Sequence, residues 1–185
     1  MKKFLLLVMS LILLASCSNE EQKISNKYAP VKKEETKSLG FDNIPDFPMP
    51  LHTFIDRYNK SGQEGFTPIE KDPSKIKFIK EKNGYSKTLI DESLDSTNYS
   101  VVAMFDHQKK FKRITYTHTI EGKPNEKAVL TLITLLDTLG IDSNYVAEFA
   151  DTGNNESDIT TNGYNAHFMK IKDTGFFNVS INSDK

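Results

Sequence analysis

Four histidines are the side chains of this sequence best suited to bind a metal ion or to transfer a proton near neutral pH. No two of them have the His-x-x-x-His spacing that places two ligands on one face of a helix. His118 and His167 lie on predicted strands and would meet only if those strands pair. Because the only cysteine is Cys17 and no carboxylate clearly shares a face with a histidine, we predict structural histidines and no metal site.

Two Asp-Thr-Gly triplets, at residues 151–153 and 173–175, resemble the active-site motif of aspartic proteases. Catalysis in that family requires two carboxylates that share a proton at close range. Its two motifs lie on separate lobes or subunits, whereas here one triplet lies in a polar loop and the other between adjacent predicted strands. We therefore interpret the second triplet as a hairpin turn and predict no protease.

The polar loop at residues 151–158 is rich in oxygen atoms that would suit calcium. It departs from EF-hand spacing, because Gly153 comes too early and no glutamate closes the loop, so a solvated linking loop is predicted instead. The sequence also lacks a Gly-x-Ser-x-Gly motif, a phosphate loop and a dinucleotide fingerprint. We predict no catalytic residue, no metal and no cofactor, which favours a binding protein over an enzyme.

Aromatic side chains are more suggestive, since the chain contains 12 Phe and 7 Tyr. Neighbouring strand residues such as Phe176 and Phe177 face opposite sides of a sheet, so a sheet covered on one face cannot bury both. An exposed aromatic residue beside a sheet edge would suit protein binding, unless helices or loops cover both faces. The candidate binding surface consists of Tyr116, His118, His167, Phe176 and Phe177.

Hydrophobic periodicity predicts the elements that position these residues. A first helix is indicated by four apolar residues at helical spacing, which are Leu51, Phe54, Ile55 and Tyr58. Four strands are predicted to follow, at residues 75–81, 85–91, 99–105 and 111–120. Residues of the fourth strand alternate between two sides of the sheet. The predicted buried side carries Ile114, Tyr116 and His118, and the predicted solvated side carries Arg113, Thr115 and Thr117.

A second helix is predicted from Asn125, a suitable N-cap, to Gly140, with Val129, Leu132, Ile133, Leu136 and Leu139 at helical spacing. Residues 142–150 suggest a further short helix with Tyr145, Val146 and Phe149 inward. Two closing strands follow turn signals, at residues 164–172 and 176–182. This order predicts an α+β fold, an antiparallel sheet of about five to seven strands with two or three helices packed on one face.

The N-terminus has the features of an export signal, with two lysines before a short apolar run at residues 4–14. The next residues, Leu14-Ala15-Ser16-Cys17, resemble the lipobox of bacterial lipoproteins. This resemblance implies cleavage before Cys17 and lipidation of its sulfur with diacylglycerol, and acyl chains such as palmitate would then hold the protein on a membrane. An ordinary cleaved signal that leaves a free thiol is the alternative.

The predicted organisation is a lipoprotein signal peptide at residues 1–16, a lipidated flexible tether at 17–47 and a single α+β domain at 48–185. Few large apolar residues occur in the tether. Removal of the signal leaves 22 basic against 25 acidic residues, a net charge near −3, so nucleic acid is not an expected partner.

These features predict a non-enzymatic, membrane-tethered module that binds another envelope or surface protein, of an exclusion, immunity or inhibitor type. The expected location is the cell membrane or outer membrane, facing the periplasm or the exterior. The alternative is a small-ligand carrier or an envelope enzyme with a pocket between the second helix and the sheet, where Tyr116, His118 and His167 converge. A smaller possibility is that residues 10–16 are released as a peptide pheromone, as from some Gram-positive lipoprotein signals.

Overall fold

The computed structural model describes residues 40–94, 97–120 and 125–185, which form an antiparallel sheet with α-helices packed against it. The helices are α1 (Leu51–Ser61), α2 (Glu126–Thr138) and α3 (Asn144–Asp151). The strands are β1 (Ile79–Glu81), β2 (Gly84–Leu94), β3 (Thr97–Phe105), β4 (Phe111–Ile120), β5 (Glu156–Thr161), β6 (Tyr164–Ile171) and β7 (Phe176–Ser183). The predicted α+β class is therefore confirmed.

The seven strands lie in the order β1-β2-β3-β4-β7-β6-β5, and every neighbouring pair is antiparallel. Strands β1 to β4 form a meander. The chain then passes through α2 and α3 before it returns to the far edge of the sheet at β5, so that β7 is the strand that closes against β4. This long-range pairing makes one sheet from two sets of hairpins.

One side of the sheet, here called the helix face, carries the aromatic core. The register places Tyr99, His118 and Phe177 side by side on β3, β4 and β7. Helix α1 reaches this face through Tyr58, whose hydroxyl donates to the Thr67 carbonyl oxygen, while the Thr67 hydroxyl lies 2.7 Å from that of Tyr99. Burial of these large rings supplies much of the hydrophobic stabilisation of the domain.

The other two helices cover the same face. The Tyr116 hydroxyl donates to the Ala128 carbonyl oxygen of α2 at 2.9 Å. Phe149 of α3 packs against Phe168 and Phe177, with ring centroids 5.9 and 6.2 Å apart. All the contacting side chains of the sheet alternate with residues of the opposite side, here called the open face. The prediction that the helices share one face of the sheet is confirmed.

The turn at Asn83-Gly84 joins β1 to β2, and its glycine is required. Gly84 has a φ of +143°, and a Cβ atom there would lie 2.1 Å from the carbonyl oxygen of Phe105 on the neighbouring strand. No side chain fits in that space. The Asn-Gly signal therefore marks both a turn and a close approach of two backbones.

Two local predictions need correction. The polar loop predicted at residues 151–158 contains the start of β5, whose Asp158 pairs in register with His167 of β6. Strand β5 has few apolar residues because it is an edge strand, so its sequence resembles a loop. Tyr145 of α3 was expected to point inward but is 37% exposed, whereas Phe149 is buried as predicted.

The end of the predicted tether also needs correction, since residues 40–47 pack on the domain. The Phe47 ring is buried against Phe111, with centroids 4.4 Å apart, and its amide donates to the Phe111 carbonyl oxygen. Asp46 accepts a hydrogen bond from the buried Lys112 ammonium at 2.6 Å. The packed part of the chain thus begins before residue 48. The lipobox and the rest of the predicted tether lie outside the described residues.

Candidate functional site

The five residues of the predicted binding surface are divided between the two faces of the sheet. Tyr116, His118 and Phe177 lie on the helix face, because each is in register with buried core residues. His167 and Phe176 lie on the open face. The three side chains predicted to converge in a pocket, Tyr116, His118 and His167, therefore do not meet, and the five residues do not form one surface.

His118 lies in the core next to Tyr116, with ring centroids 6.1 Å apart. The residue is only 5% exposed, and its Nε2 atom has no hydrogen-bond partner in the described part of the chain. Burial lowers the pKa of His118 to about 4, so the ring is neutral at physiological pH. His118 is therefore more deeply buried than a surface or half-buried histidine, and its neutral ring packs beside Tyr116.

His167 makes a cross-strand pair with Asp158, and its Nδ1 atom lies 2.9 Å from a carboxylate oxygen. His107 makes a similar contact with Asp42 at 2.7 Å. Hydrogen bonds from the backbone and side chain of His107 lower the pKa of Asp42. Both pairs are exposed, so solvent screens them and they contribute little to stability.

Phe176 and Phe177 face opposite sides, as the alternation of a strand requires. Phe177 belongs to the helix face, where it contacts Phe149. Phe176 is half-buried on the open face, in register with Thr119 on one side and with the exposed Ile171 on the other. Strand β7 lies between β4 and β6, so Phe176 is in the interior of the sheet and not at its edge.

The open face is built mainly from short polar side chains. These residues are half-buried and comprise Thr88, Ser100, Thr115, Thr117, Thr119, Asn165, Asn178, Ser180 and Asn182. Some of them bond to one another, since the Asn178 amide donates to the Thr117 hydroxyl at 3.0 Å. Apolar side chains are interspersed, namely Val102, Met104, Met169 and Phe176. The open face therefore combines short polar side chains with a few apolar ones.

Arg113 stands out on the open face. It lies between Met104 of β3 and Asn182 of β7, and it is half-buried. Its Nε atom is shielded from solvent and has no hydrogen-bond partner within the described residues, and partial burial lowers the pKa of the guanidinium. The acidic Asp158 lies three strands away and contacts His167 instead, and Asp184, two residues beyond Asn182, forms no ion pair with Arg113 in the described residues.

Three other basic side chains on the sheet are satisfied, in contrast to Arg113. The Lys170 ammonium donates to three carbonyl oxygens at the end of α3, and the Lys87 ammonium donates to the carbonyl oxygens of Pro73 and Ile76. Lys112 pairs with two carboxylates. Lys87 and Lys112 each hold a loop against the sheet, and Lys170 holds the end of α3 against it. Arg113 alone among these four groups has no hydrogen-bond or ion-pair partner for its side chain in the described residues.

Neither a metal centre nor a membrane span is found in the regions that the structure describes. No three His, Cys, Asp or Glu side chains there come close enough to hold a metal ion. Likewise, each helix among residues 40–94, 97–120 and 125–185 is too short or too polar to cross a bilayer.

Comparisons with known proteins returned no match. A scan of the sequence against protein-family models, a search of curated proteins and a search of solved structures each found none.

Sequence reasoning placed Arg113 on the solvated side of β4 but did not select it as a site residue. The signal was present, because Arg57 and Arg113 are the only arginines of the chain and Arg113 alternates with the buried Ile114 and Tyr116. Its lack of a partner depends on which strands flank β4, and that pairing is a long-range property of the fold.

Proposed function

We propose that this protein is a membrane-tethered lipoprotein of the cell envelope whose open face binds another envelope or surface protein. The observation that carries the proposal is Arg113, a half-buried cation without a partner in the described residues, on the open face near the start of β4, the fourth of the seven strands. A protein that occupies a partner's surface in this way acts by occlusion, as expected for an exclusion, immunity or inhibitor factor.

The partner should present a carboxylate to Arg113. A guanidinium forms two parallel hydrogen bonds with a carboxylate, and arginine is among the residues that dominate binding energy at the centre of interfaces. The flanking Met104 and Asn182 supply apolar and amide contacts on either side. The short hydroxyl side chains around them let a partner approach the sheet closely and lose little side-chain entropy on binding.

The membrane anchor is supported by the residues Leu14-Ala15-Ser16-Cys17, which meet the requirements for cleavage and acylation at a cysteine. Replacement of Cys17 by Ser should move the protein from the membrane fraction to the soluble fraction or leave the signal uncleaved. Fractionation and intact mass of the wild type and variant measure this. A cleaved variant that still requires detergent for extraction would exclude the lipid anchor.

The binding proposal is tested by crosslinking capture of the full-length protein from its own envelope, with mass spectrometry of the captured proteins. Arg113→Ala should capture at least about tenfold less of the partner than the wild type does. Truncation of an arginine that is a binding hot spot costs about 2 kcal/mol or more, which corresponds to about thirtyfold in affinity. Arg57→Ala is the matched control, since Arg57 is the other arginine of the domain and is exposed on α1.

Equal capture by both arginine variants, with thermal unfolding unchanged, would show that the part of the open face around Arg113 does not bind the partner. Loss with Arg113→Ala and retention with Arg57→Ala supports the proposal. Arg113→Lys keeps the charge but not the planar fork, so it should recover only part of the capture.

A further inference from the structure

A cluster of lysines and exposed apolar residues lies at one end of the sheet. It surrounds the β1–β2 turn and the β3–β4 turn, which are adjacent because Tyr85 pairs with Phe105. This cluster, here called the basic patch, consists of Lys77, Lys80, Lys82, Lys109 and Lys110 together with Phe78 and Ile79. Two of the four large apolar side chains that are most exposed among the described residues are in it, Phe78 at 38% and Ile79 at 49%.

The two turns are held together by aromatic contacts. The Phe78 ring packs edge-on against Phe105 and Tyr85, with centroids 5.0 and 5.8 Å apart. The Lys109 ammonium lies 5.0 Å from the centre of the Phe78 ring and 5.2 Å from that of Tyr85. These contacts place the β3–β4 lysines beside the β1 lysines, so residues distant in sequence share one surface.

The lysines of the basic patch have no ion pair within the described residues. Four carboxylates lie at the same end: Asp46 and Asp106 pair with Lys112, Asp42 contacts His107, and Glu81 accepts from the Ser86 hydroxyl. The five lysines of the basic patch together with Lys112 outnumber these carboxylates. The charge is also segregated along the chain. Residues 71–113 contain 10 basic and 6 acidic residues, whereas residues 114–185 contain 5 basic and 10 acidic residues.

The chain enters the domain at this same end. The Phe41 amide donates to the Asn83 carbonyl oxygen in the β1–β2 turn, and the Asp42 carboxylate contacts His107 in the β3–β4 turn. Cys17 precedes Gly40 by 23 positions. The connection to the proposed acyl anchor therefore starts beside the basic patch.

We propose that the basic patch contacts the anionic headgroups of the bilayer that holds the acyl chains, with Phe78 and Ile79 entering the interface. This inference rests on the proposed lipid anchor. Basic residues near an anionic surface and a lipid chain act together as two membrane signals, and tethering raises the effective concentration of the patch at the surface. In this orientation the opposite ends of the strands, near Phe176 and Ile171, point away from the bilayer.

The chain contains no tryptophan, so a single introduced tryptophan reports on one position. Ile79→Trp places it in the basic patch, and Ile171→Trp is the matched control, because Ile171 is exposed to the same extent, 47% against 49%, at the opposite end of the strands. The full-length acylated variants are reconstituted into vesicles of phosphatidylcholine with or without phosphatidylglycerol, both containing brominated acyl chains that quench fluorescence.

Quenching of Ile79→Trp in the anionic vesicles, without quenching of Ile171→Trp, is the expected result. Neutralisation of Lys80 and Lys82 to Gln should lower the ratio of bilayer-bound to detached domain by about fivefold for each lysine. The same replacement at Lys127 and Lys172, in the acidic part of the chain, should leave the quenching unchanged.

The two proposals fail in different ways in this experiment. If the acylated protein does not float with neutral vesicles, the lipid anchor is wrong. If it floats but both tryptophans are quenched equally, or neither is quenched in anionic vesicles, the orientation by the basic patch is wrong. Identical quenching after the Lys80 and Lys82 replacements would also overturn it.

Discussion

His118 should make the stability of this protein depend on pH over the range between its ordinary pKa of 6.5 and its folded-state value of about 4. The ring is buried in the neutral form, without a partner for Nε2 in the described residues. Protonation in the folded protein would place a charge among Tyr116 and other aromatic side chains, whereas the unfolded chain accepts the same proton in water at no such cost.

The sign follows from the direction of this pKa shift. Because the folded-state pKa is lowered, the unfolded state binds more protons between pH 6.5 and pH 4, and stability falls as the pH falls through that range. The stability contributed by the neutral ring is fully present above about pH 6.5. The two pKa values of His118 differ by about 2.5. At about 1.36 kcal/mol for each unit of pKa, acidification to pH 4 lowers the free energy of unfolding by about 3 kcal/mol.

The assay is urea unfolding of the wild type and of His118→Phe at several pH values from 7 to 4. The difference in unfolding free energy between the two proteins should shift by about 3 kcal/mol in favour of the variant on acidification. Groups common to both proteins cancel in this difference, including Asp42, Asp46 and Asp72, whose lowered pKa values place their titration below 3.8.

A matched control removes a histidine from the surface. His52 is exposed on α1, so His52→Gln leaves the buried site intact and should unfold in parallel with the wild type at every pH. If the unfolding free energy of His118→Phe also changes with pH in parallel with that of the wild type, the reasoning is refuted. Such a result would mean that His118 accepts a proton equally well in the folded and unfolded states.

Two further predictions concern local stability. Lys170→Met removes the ammonium that donates to three carbonyl oxygens at the end of α3, one of which, that of Phe149, also accepts from the Thr152 hydroxyl. It should therefore lower the unfolding free energy by about 2 kcal/mol in urea titrations, while Lys172→Met, at an exposed neighbouring position, should change it little. Gly84→Ala should cost about 2 kcal/mol or more and lower the melting temperature, because the new Cβ meets the Phe105 carbonyl oxygen. Gly153→Ala is its control, with open space around the added atom, and an equal loss in both alanine variants would contradict this assignment.

The helices and most strands were predictable because their signals are local. The helical spacing of Leu51, Phe54, Ile55 and Tyr58 marks α1, and all four side chains are buried there. In α2 the same reasoning was less accurate, since Val129 and Ile133 are half-buried while Ala128 and Leu135 are fully buried. Helical period determines that a helix forms, but the neighbouring elements determine which part of its surface is covered.

The candidate site was less predictable than the fold. Tyr116 and His118 were grouped with His167 because all three lie on strands, yet the register puts His167 on the opposite face. Phe176 was expected near an edge, but the pairing of β7 with β4 and β6 places it in the interior of the sheet. Strand pairing between distant segments is not encoded in local spacing, so the neighbours of each side chain were beyond sequence reasoning.

The sequence by itself determined the order of the elements and the alternation that separates Arg113 from Tyr116, since each depends on residues close together in the chain. Only the tertiary structure decided that Arg113 has no partner within the described residues and that Lys80 and Lys109 share one end of the sheet. These are properties of pairing across the sheet, where hydrophobic burial on the helix face selects the register and leaves the polar side chains wherever that register puts them.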